Sequence, residues 1–391
     1  MSDHAPPAPA GVRLHALDNL RAILMWLGIV LHVAAVYTTH PMPNVWLDDQ
    51  RTAFADALVS VIHVFRMPAF FILAGFFSAL LAESRGPGGL LRNRLARLAL
   101  PFVIFWPILW VLTSLAALLF LNRLALNQWG FDLAVAANVP DRGVSTMHMW
   151  FLWLLLWLCV VTAALMRLPR HWFAPAGAVL AWVARRPWGF ALLALPLLAA
   201  TAGYPRGFIV NSGSFLPPWN EWVHYGVYFA FGLMLHGQQA VLFAQFQRRW
   251  VLFAVMGLAF FLLSVLVTQR HGPLLLGAYS FHCAAWLWSF ASIGLALRFL
   301  SSRHKLLGYL ADSAYWVYLV HFPFTILSGA LLYQLPLPAL LKIAINITAT
   351  TLVCLGSYQL FVRHTWISQL LNGKRHPRPR RDLPGAAGGL A

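Results

Sequence analysis

The sequence predicts an all-α polytopic membrane protein, a bundle of about ten transmembrane helices with both termini in the cytoplasm. Three observations carry this. Hydrophobic residues make up 60% of the 391-residue chain and charged residues only 10%, with a mean hydropathy of +0.69. Apolar runs of roughly 20 residues, enough to cross a bilayer as a helix, recur from end to end. Basic residues are also unevenly placed: with the N-terminus inside, twenty of the 28 Lys and Arg fall on cytoplasmic segments, and only Arg21 and Arg66 fall within spans. That bias fixes orientation, because Lys and Arg accumulate on cytoplasmic loops.

The first span, 17–38, is the most informative. It contains LDNLRAILMWLGIVLHVAAVY, an apolar stretch interrupted by Arg21 and His32. Ionisable groups at membrane depth are costly and mark functional positions. Eleven residues at about 100° each bring both side chains to nearly one helix face, about 16 Å apart along the axis. Asp18, one turn before Arg21, is placed to pair with it. The second span, 54–82, carries IHVFRMPAFFILAGFF: His63 and Arg66 are neighbours on one face, Pro68 kinks or starts a helix, and Gly75 allows another helix close. The bland alternative is that Arg66 snorkels to an interface while His63 satisfies a neighbouring backbone.

The third span, 98–121, is preceded by LLRNRLARLALPF, in which Arg94 and Arg97 project together with Arg92 close by. Guanidinium groups are natural ligands of phosphate oxygens, although the same arginines serve as ordinary positive-inside anchors. In span 147–167, His148 opens MHMWFLWLLLW beside an aromatic belt. Span 188–203 is the weakest, punctuated by Gly189, Pro196 and Gly203, and its neighbour 173–184 is also apolar. In span 222–237, Glu221 and His224 are three apart, so the carboxylate is placed to orient the imidazole as in general-base pairs. Spans 250–268 and 277–299 are apolar runs whose flanking and internal histidines, His271 and His282, read as packing groups. Span 311–333 contains ADSAYWVYLVHFPF, with Tyr315, Tyr318 and His321 drifting around one face, and 340–362 completes the set.

These features exclude several classes. A net charge of +17 spread over loops and a tail reads as contact with anionic lipid headgroups, not nucleic acid. Cys159, Cys283 and Cys354 lie within apolar spans, are odd in number and lack metal-ligand spacing, so neither a disulfide framework nor a metal site is expected. The N-terminus lacks the build of a signal peptide, so the first span is expected to stay as a helix. The chain therefore divides into a cytoplasmic segment 1–13, a membrane domain 14–362 and a basic, disordered cytoplasmic tail 363–391.

The order LDNLRAILMWLGIVLH, FRMPAFFILAGFF, RNRLARLALP, MHMWFLW and SAYWVYLVHFPF resembles the membrane-bound acyltransferase 3 family, and within it the glucan-biosynthesis branch. The match runs from about residue 14 to 362. Its specific elements are an arginine followed eleven residues later by histidine, met by Arg21 and His32, and an Arg-x-x-Arg element, met by Arg94 and Arg97.

The resemblance implies a membrane O-acyltransferase in the inner membrane of a bacterium. It moves an acyl group, succinyl or acetyl, from cytoplasmic acyl-CoA to a hydroxyl of a periplasmic or cell-surface glycan. Acyl-CoA is then a co-substrate, and no permanently bound cofactor is expected. The family histidine maps onto His32, as general base or, in a variant, as an acyl-histidine; the buried family arginine maps onto Arg21, held by Asp18. Arg94, Arg97, Arg66 and His63 fall to the donor side, and His148, Glu221, His224, Tyr318 and His321 to the acceptor or pore side. Many relatives carry a fused soluble domain that completes the transfer; this chain ends after the tenth expected span, so transfer is expected to finish within the membrane domain, as in the glucan branch. The rival is a transporter using the same Arg/His track for an anionic small molecule or acylated carrier, which inverted-repeat halves would favour.

Overall fold

In the computed structural model, residues 10–40, 47–137, 143–201, 204, 209–302 and 304–377 are described, with side chains from His15 onward and not at Arg170. The described residues are helical, with no strand among them. In chain order the α-helices are α1 Ala10–Ala35, α2 Ala53–Arg94, α3 Leu100–Leu126, α4 Leu133–Ala137, α5 Trp150–Leu165, α6 Ala174–Ala184, α7 Gly189–Thr201, α8 Trp219–Gly237, α9 Gln239–Gln269, α10 Leu274–Phe299, α11 Lys305–Leu332, α12 Ala339–Ser357 and α13 Trp366–Asn372. This is a multi-pass membrane protein.

Among the described residues each apolar segment named above is mainly helical, but seven continuous helical stretches are long and apolar enough to cross a membrane. Two of the expected spans, 54–82 and 98–121, are arms of one 74-residue path from Ala53 to Leu126. A straight helix of that length would be about 110 Å long, several bilayers thick. Gly86, at φ 69° and ψ 174°, breaks it, and a π-helical turn at Leu95–Ala99 leads into α3. Pro68 sits inside α2, where the backbone stays helical. The remaining expected spans are α7, 13 residues long and so only about 20 Å, and α8, whose first turn carries Glu221.

Lipid and Leu side chains are equally apolar, so helices in a bilayer associate through close packing and polar contacts. The α2–α8 crossing shows this. A Cβ on Gly75 would lie 2.1 Å from the Phe229 carbonyl oxygen, and one on Gly232 would lie 2.0 Å from that of Ile72. The two backbones therefore touch, as the glycine in span two suggested. Aromatic rings fill the space around this contact, Phe71 stacking on Tyr225 with centroids 4.7 Å apart and Phe231 meeting Trp286 edge-on at 5.0 Å. Large apolar side chains on α3 and α9, such as Val103, Ile108, Val255 and Leu262, point outward, which suits a lipid-facing surface.

One end of the bundle is tied by a buried ion cluster. Lys342, at the start of α12, donates to Asp48 at 2.7 Å and Asp49 at 2.8 Å, in the connection between α1 and α2. Neither Lys342 nor the Asp48 side chain is exposed. At the other end α13 packs near the start of α11: Asn372 donates to the Asp312 carbonyl at 2.7 Å, and Lys374 pairs with the Asp312 carboxylate at 2.7 Å. The segment from 363, expected as a disordered tail, thus begins in an ordered helix whose polar ends have partners on α11. Residues 378–391 lie outside the described residues.

Candidate active site

Three histidines from three parts of the chain meet in the bundle. His32 on α1 and His321 on α11 have ring centroids 5.3 Å apart; His148, just before α5, is 5.4 Å from His321. Phe322 packs at 5.0 Å from both His32 and His148. Two of the imidazoles are held by backbone. His321 Nδ1 lies 3.0 Å and 2.9 Å from the Val317 and Tyr318 carbonyls. Nδ1 must therefore carry the proton, which leaves Nε2 as a lone pair. That Nε2 is buried without a partner.

His148 is fixed by a different device. Pro323 has no N–H, so it leaves the Leu319 carbonyl, four residues earlier, without its helical donor. His148 Nε2 donates to that carbonyl at 2.8 Å, and Tyr318 Oη donates to the His148 carbonyl at 3.0 Å. The short helical turn Met147–Met149 is thereby pinned to α11. His32 differs from both: it is only partly buried, and its contacts among the described residues are ring contacts with His321 and Phe322.

Arg66 completes this group. Its Nε donates to the Leu24 carbonyl on α1 at 2.8 Å, and the residue is 7% exposed. Its guanidinium fills the space left by a missing side chain: a Cβ on Gly28 would lie 2.7 Å from Arg66 Nη2 and 3.7 Å from His321 Nε2. Gly28 is four residues before His32, hence one turn away on the same face. Arg66 and His63 both lie within electrostatic reach of His32. Two of the four residues expected on the donor side, Arg66 and His63, thus sit beside the histidines.

A second, cationic cluster occupies the end of the bundle at the start of α1. Arg21 pairs with Asp18 at 3.2 Å, as expected from their spacing, and lies 5.0 Å over the Phe77 ring. Its side chain is 40% exposed, so the arginine expected to be buried is not, and it stands about 16 Å along α1 from His32, with Asp18 about 21 Å away. Asp18 and Arg21 therefore belong to the cationic cluster and not to the surroundings of His32. Arg94 donates to Ser78 Oγ at 3.0 Å. Arg97 donates to the Leu370 carbonyl at 2.7 Å, capping the end of α13, and Tyr315 Oη donates to the Arg97 carbonyl at 2.7 Å. Arg21, Arg94 and Arg97 all fall within electrostatic reach of Tyr315.

The expected Glu221–His224 pair is not made. The Glu221 carboxylate accepts from Asn211 Nδ2 at 2.7 Å and from the Ser212 amide at 2.6 Å, which ties the preceding loop to α8. His224 instead faces His282, at 5.6 Å, and Tyr228, at 5.4 Å. With His63 and Tyr225, His224 lines a cavity of about 10 Å³, roughly one water-sized sphere. Sequence reasoning missed Gly28 and Ser78; the four-residue step from Gly28 to His32 was the available signal for the first.

This arrangement sets a partly buried imidazole beside a buried cation and gathers arginines at one end of the bundle. The acyltransferase domain profile matches residues 14–359. Glucans biosynthesis protein C of Salmonella paratyphi B is 25% identical over 417 aligned residues, covering 98% of this chain and 99% of that protein. Its counterpart in Salmonella paratyphi A is 26% identical over 415 residues, with the same coverage of both chains. No solved structure matches the chain. With a family profile spanning nearly the whole membrane domain, the chain belongs to the membrane-bound acyltransferase 3 family and is an O-acyltransferase.

Proposed function

We propose that this protein moves an acyl group from acyl-CoA in the cytoplasm to a hydroxyl of a periplasmic or cell-surface glycan, with His32 as general base. The observation that carries this is the contrast among the three meeting histidines. His148 and His321 are anchored to backbone carbonyls, whereas His32 is only partly buried and packs by its ring against His321 and Phe322. A base must reach the proton it takes, and imidazole titrates near working pH. The acceptor hydroxyl gives its proton to His32 as its oxygen forms a bond to the thioester carbon. The carbon–sulfur bond then breaks, and His32 returns the proton to the departing coenzyme A thiolate.

The donor's phosphates rest on Arg94 and Arg97, with Arg21 close by, and the pantetheine arm reaches along α1 towards His32. Ten spans, with both ends in the cytoplasm of a bacterial inner membrane, put the arginine cluster on the coenzyme A side, in line with the distribution of basic residues. The glycan acceptor is supported by the names of the Salmonella relatives.

The test is coenzyme A release by detergent-purified protein given acetyl-CoA or succinyl-CoA and a glucan acceptor, beside His32→Ala. Release that needs both His32 and acceptor is the expected result. Undiminished release by a folded His32→Ala variant would remove the base role.

A further inference from the structure

We propose that Arg66 is a catalytic residue of this acyl transfer, its guanidinium holding the negative charge that develops on the thioester carbonyl oxygen when the acceptor attacks. This rests on the acyl-transfer reading above and gives Arg66 a role beyond donor binding.

A buried charge is ordinarily paired, because removing it from water is costly unless an opposite charge and hydrogen bonds compensate. Arg66 is 7% exposed and forms no ion pair among the described residues. Of the eleven acidic residues, Asp3, Asp141 and Asp382 lie outside the described residues. The others are engaged elsewhere. Asp48 and Asp49 hold Lys342, and Glu221, which shares Tyr225 as a neighbour with Arg66, accepts from Asn211 and Ser212. The groups in electrostatic reach of the guanidinium include Tyr318 and Tyr225, with His321 and His32 beside it. The protein thus holds a cation in its interior among groups that do not neutralise it.

Position says what that cation is for. The Nε–H is spent on the Leu24 carbonyl at 2.8 Å, which fixes the plane of the guanidinium. Nη2 lies in the space over Gly28, facing His321, one helical turn from His32. Donors aimed at developing charge, inside a low-dielectric site and already oriented, are the arrangement that stabilises a tetrahedral oxyanion. As the hydroxyl oxygen adds to the carbonyl carbon, the carbonyl π electrons move onto its oxygen, next to the guanidinium. When the carbon–sulfur bond breaks, those electrons return to re-form the carbonyl, and Arg66 keeps its protons throughout. Gly28 is part of the device, since any side chain there would occupy the place of Nη2.

A permanent carboxylate at the end of the acyl chain offers the same anionic chemistry, and the choice of donor separates the two sources. Steady-state coenzyme A release is measured for wild type, Arg66→Lys, Arg66→Met, Gly28→Ala and His32→Ala, each with acetyl-CoA and with succinyl-CoA, after size-exclusion and thermal unfolding show which variants are folded. The expected result is a kcat loss on the order of 100-fold for Arg66→Met, alike for both donors and with little change in donor KM. Arg66→Lys should lose less, and Gly28→Ala, which keeps the arginine but displaces it, should lose kcat in the same way. A loss confined to succinyl-CoA and appearing in KM would overturn the oxyanion role in favour of a carboxylate site. Folded Arg66 and Gly28 variants with wild-type kcat, beside an inactive His32→Ala, would overturn this inference and leave the acyl-transfer reading standing. Wild-type protein that releases coenzyme A from neither donor would overturn both.

Discussion

His148 donates its Nε2 proton to the carbonyl oxygen of Leu319 at 2.8 Å, the carbonyl that Pro323 deprives of its helical partner. A break in the α11 hydrogen-bond ladder and a histidine on another segment thus satisfy each other. The same bond brings the His148 ring to 5.4 Å from His321, so a defect in one helix helps assemble the site.

This relationship predicts a coupled pair. His148→Ala should destabilise the protein by about 1–3 kcal/mol, because the Leu319 carbonyl is left buried and unpaired. Pro323→Ala restores the missing N–H, so the double variant should lose less than the sum of the two single changes. Thermal unfolding of the four proteins in detergent reads the coupling; strict additivity would show that the carbonyl has another donor.

For the cationic cluster, Arg94→Gln is expected to raise the donor KM several-fold with little change in kcat, the pattern for a contact made equally in ground and transition states. The donor KM of the wild type should rise with salt, and that of the variant should rise less. A fall in kcat with KM unchanged would place Arg94 at the reacting atoms instead. Asp18→Asn, by contrast, touches an exposed pair and should alter stability by less than about 1 kcal/mol.

The glycine contact between α2 and α8 predicts a steep positional effect. Gly75→Leu and Gly232→Leu should abolish folded, monodisperse protein, since the first atom of each new side chain meets a backbone carbonyl at 2.1 Å or 2.0 Å. Gly308→Ala on α11 is the comparison, because nothing lies within 4 Å of its Cβ position. It should be neutral or slightly stabilising, as Ala is the better helix former. Size-exclusion profiles after solubilisation decide between the two classes.

The buried ion cluster predicts a pH dependence. Burial pushes the Asp48 carboxyl up to about 6, whereas Asp49 is held low, first by its hydrogen bond with Asp48 and then by Lys342. Between about pH 4 and pH 6 the folded protein therefore binds more protons at Asp48 than the unfolded chain does, so this group lowers stability as pH rises through that window. The melting temperature of Asp48→Asn should fall less than that of the wild type over the same range. Lys342→Met leaves two carboxylates facing each other and should cost about 3–5 kcal/mol. Much of that loss should return in the Lys342→Met, Asp48→Asn double variant.

Much of the fold was legible because a membrane helix must be long and apolar, and the helices that bear the site, α1, α2, α5, α8 and α11, fall where the apolar runs do. Local spacing also served where both partners share a helix, as where Asp18 meets Arg21, and residue type served at Gly75, which lies at a close crossing of two helices. Spacing failed where a closer partner came from a loop. Glu221 and His224 share a helix face, but the carboxylate sits at the start of α8, where the folded-back 211–212 segment offers an amide. The meeting of His32, His148 and His321 depends on the azimuths of separate helices, which no local pattern encodes. Arg66 read as a donor-side residue for the same reason: its partner, the Leu24 carbonyl, is 42 residues away. The Lys342–Asp48 bond joins residues 294 apart, beyond any periodicity. Only the apolar character of α12 was visible there, and a lysine near a helix end reads as an interfacial anchor.

The direct contact of backbone on backbone at Gly75 and Gly232 also sets a bearing. Gly75 lies nine residues along α2 from Arg66, two and a half turns at about 100° per residue, so the two positions face opposite ways. One is seated on α8 and the other reaches α1. With no side chain between the two backbones at that crossing, a roll of α2 about its long axis would drive backbone into backbone there. The direction in which the guanidinium points is therefore indexed by a notch on the far side of the same helix, more than 13 Å away by helical rise.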